Sequence, residues 1–164
     1  MMLLDVEKVL SELSDGEEDN DFNMVKDIRV DSNKKIFFVD DSSAARKQIA
    51  RTLDTMNLSY LYAENGKKAW ELLDKMGRET ETAGYHLKSQ ISVILTDIEM
   101  PELDGYELTK KIKADDRFNG IPVVLHSSLS SQANVSVGLS TGADDYLGKF
   151  EPQALAAVVT KHVK

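Results

Sequence analysis

Two short apolar runs end in carboxylates, and that placement restricts the fold more than any other feature of the chain. Ile36-Phe37-Phe38-Val39 runs into Asp40-Asp41, and Ile91-Ser92-Val93-Ile94-Leu95-Thr96 runs into Asp97. Runs of this length, rich in β-branched and aromatic residues, read as buried strands. In an open parallel sheet the ligand site lies outside the carboxyl ends of the strands, so the three acids should gather at one sheet edge. Two carboxylates about 4 Å apart repel by roughly 4 kcal/mol at an effective dielectric of about 20. A cation should compensate them, and a donor set made only of oxygens suits Mg2+.

The pattern around these runs alternates between strand and helix. A strand over about Lys35–Val39 is followed by a helix capped by Ser42 or Ser43, with an apolar stripe of Ala45, Ile49, Leu53 and Met56. A second strand, Leu58–Ala63, leads through Asn65-Gly66 into a helix carrying Ala69, Trp70, Leu72 and Leu73. Residues 77–90 read as a polar insertion with two glycines. After the third strand, Ile91–Thr96, Met100-Pro101 breaks the chain, and Asp104 with Glu107 resembles a capping box opening a helix through Leu108 and Ile112. A fourth strand at Val123–His126, a weakly patterned helix over Gln132–Leu139 ended by Gly142, a short fifth strand at Asp145–Leu147 and a last helix from Pro152 complete the series. Five alternating units predict an α/β fold: a five-stranded parallel sheet, doubly wound, with helices on both faces.

The 164 residues fit one domain with an appendage. Residues 1–33 hold ten acidic and three basic side chains, a net of −7, which leaves −1 for the rest of a chain whose total is −8. Residues 14–21 contain no apolar side chain and read as a solvated acidic linker, whereas 22–33 either extend it or pack on the body. The negative charge argues against non-specific nucleic-acid binding. No apolar stretch reaches the roughly 18 residues of a membrane span, and the opening residues lack the basic start of a secretory signal. Without cysteine there is neither a disulfide framework nor thiolate chemistry. A cytoplasmic protein without membrane insertion is the expectation.

With Asp40-Asp41, the run Asp97-Ile98-Glu99-Met100-Pro101-Glu102-Leu103-Asp104-Gly105, Ser127 and Lys149 all at strand ends, residues 34–164 resemble a response-regulator receiver domain. Asp41-Ser42-Ser43-Ala44-Ala45-Arg46-Lys47-Gln48, Leu125-His126-Ser127-Ser128-Leu129-Ser130 and Lys149-Phe150-Glu151-Pro152 are similar to the receiver of CheV-type chemotaxis coupling proteins. In that family a CheW-like coupling domain precedes the receiver, and Met2-Leu3-Leu4-Asp5-Val6-Glu7-Lys8 is similar to the close of such a domain. The resemblance thus implies that residues 1–13 end a preceding CheW-like domain and that 14–33 are the acidic linker between the two domains.

The resemblance also implies roles. Asp97 would accept a phosphoryl group from a histidine kinase of the chemotaxis system. Asp41 and Asp97 would bind Mg2+ directly, Asp40 would act through water, and the backbone carbonyl of Glu99 would complete the ligands. Lys149 would pair with the acceptor and then with the phosphoryl oxygens. Ser127, with Ser128 as a competitor for the position, would hydrogen-bond the phosphoryl group. Tyr146 is either the aromatic residue that swings inward with the hydroxyl or a partly buried core tyrosine. His126 reads as a packed or half-exposed strand residue, neither ligand nor catalyst, and Trp70 as packing against the sheet.

Phosphorylation would then tune coupling between the kinase and the chemoreceptor complex, or drain phosphate from the kinase. Such a domain is a regulatory phosphoacceptor and catalyses only its own modification. Two features depart from the common receiver pattern: Phe150 stands where proline usually follows the lysine, and residues 77–90 lengthen the route into the central strand. Two other readings compete. A degenerate receiver would bind a partner without being phosphorylated, against which the retention of every charged position argues. A Mg2+ phosphatase would want a second aspartate two residues after the nucleophile, where this chain has Glu99. Because the acidity of residues 1–21 suits solvent, deleting them should leave the melting temperature nearly unchanged; a large drop would mean that they pack on the domain.

Overall fold

The computed structural model describes residues 33–127, 132–148 and 151–163. Five strands form one parallel sheet, β1 (Lys35–Val39), β2 (Tyr60–Ala63), β3 (Ile91–Asp97), β4 (Val123–His126) and β5 (Asp145–Leu147). Their order is β2-β1-β3-β4-β5. Between and after them run the helices α1 (Ser43–Thr55), α2 (Gly66–Ala83), α3 (Gly105–Lys113), α4 (Gln132–Ser140) and α5 (Pro152–His162). This is the doubly wound arrangement expected from the alternating pattern.

The unbroken apolar character of β1 follows from its central position. Ile36 and Phe38 face a core built with Ile49 and Leu53 of α1 and Leu155 and Val159 of α5. Phe37 and Val39 face a second core built with Ala69 and Leu73 of α2 and Leu108 and Ile112 of α3. Each fully buried side chain of this size contributes about 1.5–3 kcal/mol relative to exposure. A strand with helices on both faces has no polar side, so period-two alternation is absent.

Strand order reverses between β1 and β3, the place where open α/β sheets hold their ligands. The helices that leave this edge begin with caps encoded locally. Ser42 Oγ accepts from the Ala45 amide at 3.2 Å, and Asp104 Oδ1 accepts from the Glu107 amide at 2.9 Å. Asn65 Oδ1 does the same for the Lys68 amide at 2.8 Å. Each side chain satisfies a donor that the first helical turn leaves unpaired.

Residues 77–90 correct the sequence reading, for they are largely regular. Helix α2 continues through Ala83, Gly84 terminates it with φ of 85°, and Leu87–Ser89 adds one 3-10 turn. Tertiary contacts accompany this segment. Arg117, from the 3-10 turn Asp116–Phe118, reaches across to Asp74 at 2.8 Å while also holding Asp115 at 2.7 Å. Trp70 packs edge-on against Phe118 with ring centroids 5.8 Å apart, and Leu87 is fully buried. The second strand also begins later than expected, at Tyr60, and the third ends one residue later, at Asp97.

Gly105 permits the closest approach between α3 and the site edge. Its amide donates to the Ile98 carbonyl at 2.9 Å, and a Cβ there would press on the Asp97 carbonyl oxygen and lie 2.8 Å from Ile98 Cα. Gly105→Ala should therefore lower stability by about 1–3 kcal/mol, the range for overpacking. The measurement is the urea midpoint; an unchanged midpoint would show that α3 shifts freely.

Candidate functional site

The sheet brings Asp40 and Asp97 together as the sequence predicts. Asp40 follows β1 and is only 2% exposed, while Asp97 ends β3 and is partly buried. Backbone donors aim both carboxylates. The Ser42 amide donates to Asp40 Oδ1 at 2.8 Å, and the Ile98 amide donates to Asp97 Oδ1 at 2.9 Å. Arg46 of α1 fixes the backbone here by donating to the Asp40 carbonyl at 2.8 Å. Asp41 is exposed beside them, on the solvent side of the cluster.

Desolvation dominates the electrostatics. Burial pushes the Asp97 carboxyl up to about 7; the charges of Asp40, Asp41 and Glu99 push the same way, and the Ile98 amide opposes them. Burial likewise raises Asp40, against the pull of the Ser42 amide. Each ionised acid here lacks solvation and faces like charge, which is the condition of a pocket built to receive a cation. The oxygen donors fit Mg2+ chemistry.

Ser127, at the end of β4, is buried, and its hydroxyl donates to Glu99 Oε1 in a short hydrogen bond. Glu99 itself is exposed on the β3–α3 loop. The same hydroxyl meets the phenol of Tyr146 on β5, a half-buried ring whose ionisation burial opposes. Glu99, Ser127 and Tyr146 thus form a chain of polar contacts across three segments at the rim of the pocket. The loop that carries Glu99 is held by buried Met100, and Glu102 within it adopts a left-handed φ of 69°. Lys149, Phe150, Ser128 and Leu129 lie outside the described residues, and with them the conformation of the Lys149–Phe150 bond.

The structure adds one neighbour to the acids. His126 is packed, as expected, but its ring borders the acids: Nε2 lies 3.8 Å from Asp40 Oδ2. One nitrogen of His126 and one oxygen each of Asp40 and Asp97 all lie within 4.8 Å of one another. Burial lowers the imidazole below its ordinary value despite the attraction of Asp40. The available signal was the register that sets the end of β4 beside the end of β3, pairing Asp97 with His126.

Among the described residues, no helix is long and apolar enough to cross a membrane. The response regulator receiver domain family matches residues 36–160. Chemotaxis protein CheV2 of Helicobacter pylori is 36% identical over 150 residues, which cover 91% of this chain and 45% of that protein. Chemotaxis protein CheY1 of the same species is 37% identical over 123 residues, covering 74% of this chain and 90% of that protein. The chain spans about half the length of the CheV relatives it matches. Among solved structures, a putative response regulator from Chloroflexus aurantiacus superposes with a TM-score of 0.68 at 22% identity, over 80% of this chain and 98% of the other. The BeF3-activated receiver domain of Klebsiella pneumoniae RstA gives 0.65 at 27% identity, over 80% and 99%.

The raised Asp97 carboxyl has a consequence for metal-free protein. Its folded-state affinity for a proton exceeds the unfolded-state affinity, so the stability it confers is full below about pH 4 and is lost as pH rises through about 7. Asp97→Asn removes this dependence. In EDTA, the melting temperature of the wild type should fall relative to that of Asp97→Asn between those limits; parallel profiles would contradict the assignment of repulsion to this residue.

Proposed function

The chain belongs to the response-regulator receiver family, and from that premise we propose that it is a phosphorylation-controlled module of chemotaxis signalling with Asp97 as phosphoacceptor. The observation that carries the reading is the convergence of Asp40 and Asp97 at the strand-order reversal, with Ser127 ending the next strand. A carboxylate oxygen of Asp97 attacks phosphorus in line with the bond to the leaving group. That bond breaks as the acyl phosphate forms, and the electron pair departs with the leaving group, the imidazole of a kinase phosphohistidine or the carboxylate of a small acyl phosphate.

Mg2+ held by Asp40, Asp41, Asp97 and the Glu99 carbonyl would supply charge neutralisation on the transferred oxygens. The chain's own residues do the rest. The Ser42 and Ile98 amides hold the two buried carboxylates in place. By the family pattern, Lys149 follows the phosphoryl group as a mobile point charge.

Ser127 supplies the conformational response. Before modification its hydroxyl is committed to Glu99, so donating to a phosphoryl oxygen requires it to leave that carboxylate. Repulsion between Glu99 and a dianionic phosphoryl group favours the exchange. Tyr146, in contact with the same hydroxyl, loses or follows its partner. A phosphoryl group with different contacts in the two arrangements can shift the balance between them, and the surface of α4, β5 and α5 carries the change outward.

The CheV relatives align with up to 100% of this chain, whereas the CheY1 relative stops at 74%. That supports assigning residues 1–13 to the end of a CheW-like coupling domain and 14–33 to a linker. The partners in this reading are a histidine kinase, that coupling domain and the chemoreceptor complex.

The test is intact mass after incubation with acetyl phosphate and Mg2+. Wild type should gain one phosphoryl mass, about 80 Da, and neither the Asp97→Asn protein nor an EDTA sample should. Labelling that survives Asp97→Asn would move the acceptor elsewhere. If no sample is labelled, beryllofluoride binding separates rapid self-hydrolysis from a degenerate receiver, which would not bind it.

A further inference from the structure

His126 has a feature that the phosphoacceptor chemistry leaves unused. The residue is 8% exposed, and both ring nitrogens are buried with no hydrogen-bond partner among the described residues. A neutral imidazole carries one N–H and one lone pair, and burying polar atoms without partners is destabilising. A leucine or valine in this place would satisfy the core better. The ring is also aimed. Its Nε2 lies 3.8 Å from Asp40 Oδ2, too far for a hydrogen bond.

The distance suits a shared ion instead. Ligand atoms about 2.0–2.2 Å from Zn2+ stand about 3.4 Å apart in a tetrahedral set. The three donor atoms of Asp40, Asp97 and His126 all lie within 4.8 Å of one another, so side-chain rotations that close the widest gap bring them onto one ion. Two of the three are already oriented from behind, since each carboxylate accepts a backbone amide through its Oδ1. Carboxylate oxygens suit Mg2+, whereas an imidazole adds affinity for borderline ions such as Zn2+ and Co2+ and little for Mg2+.

We propose that His126 is a nitrogen ligand in the acid pocket, so that with Asp40 and Asp97 it makes this pocket bind a borderline first-row divalent ion, Zn2+ above all, more tightly than Mg2+. This rests on the reading of the pocket as a cation site, and it adds a ligand that the family pattern does not supply. The remaining coordination positions are left to water. Bound in this way, the ion shares Asp40 and Asp97 with the Mg2+ of the proposed mechanism, so the two metals compete for one place.

Metal affinities of the full chain, measured by calorimetry with Zn2+ and with Mg2+, test the proposal. Co2+ absorption reports the ligand set. The variants are His126→Leu, which fills the volume without a donor, and His126→Gln, which keeps polarity and guards against misfolding of the first. The Zn2+-to-Mg2+ affinity ratio should fall by about 10- to 100-fold in both, the scale for losing support at a metal site. The visible bands of the Co2+ complex should shift toward an all-oxygen set, and the metal-free melting temperature of His126→Leu should rise.

An unchanged ratio in both variants overturns the proposal and leaves His126 as a buried neighbour of Asp40. Wild type that binds Zn2+ no more tightly than Mg2+ also overturns it. Neither result touches the phosphoacceptor reading, which stands or falls on Mg2+-dependent labelling of wild-type Asp97.

Discussion

Two carboxylates that cannot shed their charge into water govern the carboxyl edge of this sheet. Asp40 is buried after β1, and Asp97 closes β3 with its proton affinity raised by the same scarcity of solvent. The hydrophobic cores beneath them create the condition, because helices on both faces of the sheet exclude water from its end. The backbone donors of Ser42 and Ile98 relieve part of the strain on the charges and fix their direction. Among the described residues the two acids still face like charge, a setting that favours a cation at this edge.

The second layer of the site is a contest for one hydroxyl. Ser127 is committed to Glu99 and touches Tyr146, so the three residues act as a unit and not as independent contacts. Glu99 therefore has two functions in the proposed mechanism, a carbonyl toward the metal and a carboxylate toward the hydroxyl. Substitutions at Glu99, Ser127 and Tyr146 should be non-additive for the same reason.

Much of this was legible in the chain. The apolar runs ending in Asp40 and Asp97 report directly on strands buried on both faces, and Ser42 and Asp104 announce their helices through local capping. The failures have a common cause, which is contact between residues far apart in sequence. Helix α2 extends to Ala83 with Arg117 and Phe118 packed against it at Asp74, Trp70 and Gly77, and neither partner is visible in the polar stretch itself. His126 is packed, as read, in a strand buried throughout. With no alternation to assign a face, only the pairing of β4 with β3 reveals which side chain borders the acids. Glu99 and Ser127 meet across 28 positions, a distance that no local pattern encodes.

The strand order carries a consequence for synthesis. β1 emerges first yet lies in the interior of the sheet, between β2 and β3. The Ser92 hydroxyl on β3 reaches the Lys35 carbonyl on β1 across 57 positions, so the neighbour on that side arrives long after β1 leaves the ribosome. Until then Ile36, Phe37, Phe38 and Val39 form an apolar strand with one edge unclaimed, a segment prone to wrong pairing. The acids proposed to hold the ion sit at its exit, where Asp40-Asp41 interrupt the apolar run with two charges. The same pair that equips the finished pocket would thus guard the nascent chain against self-association.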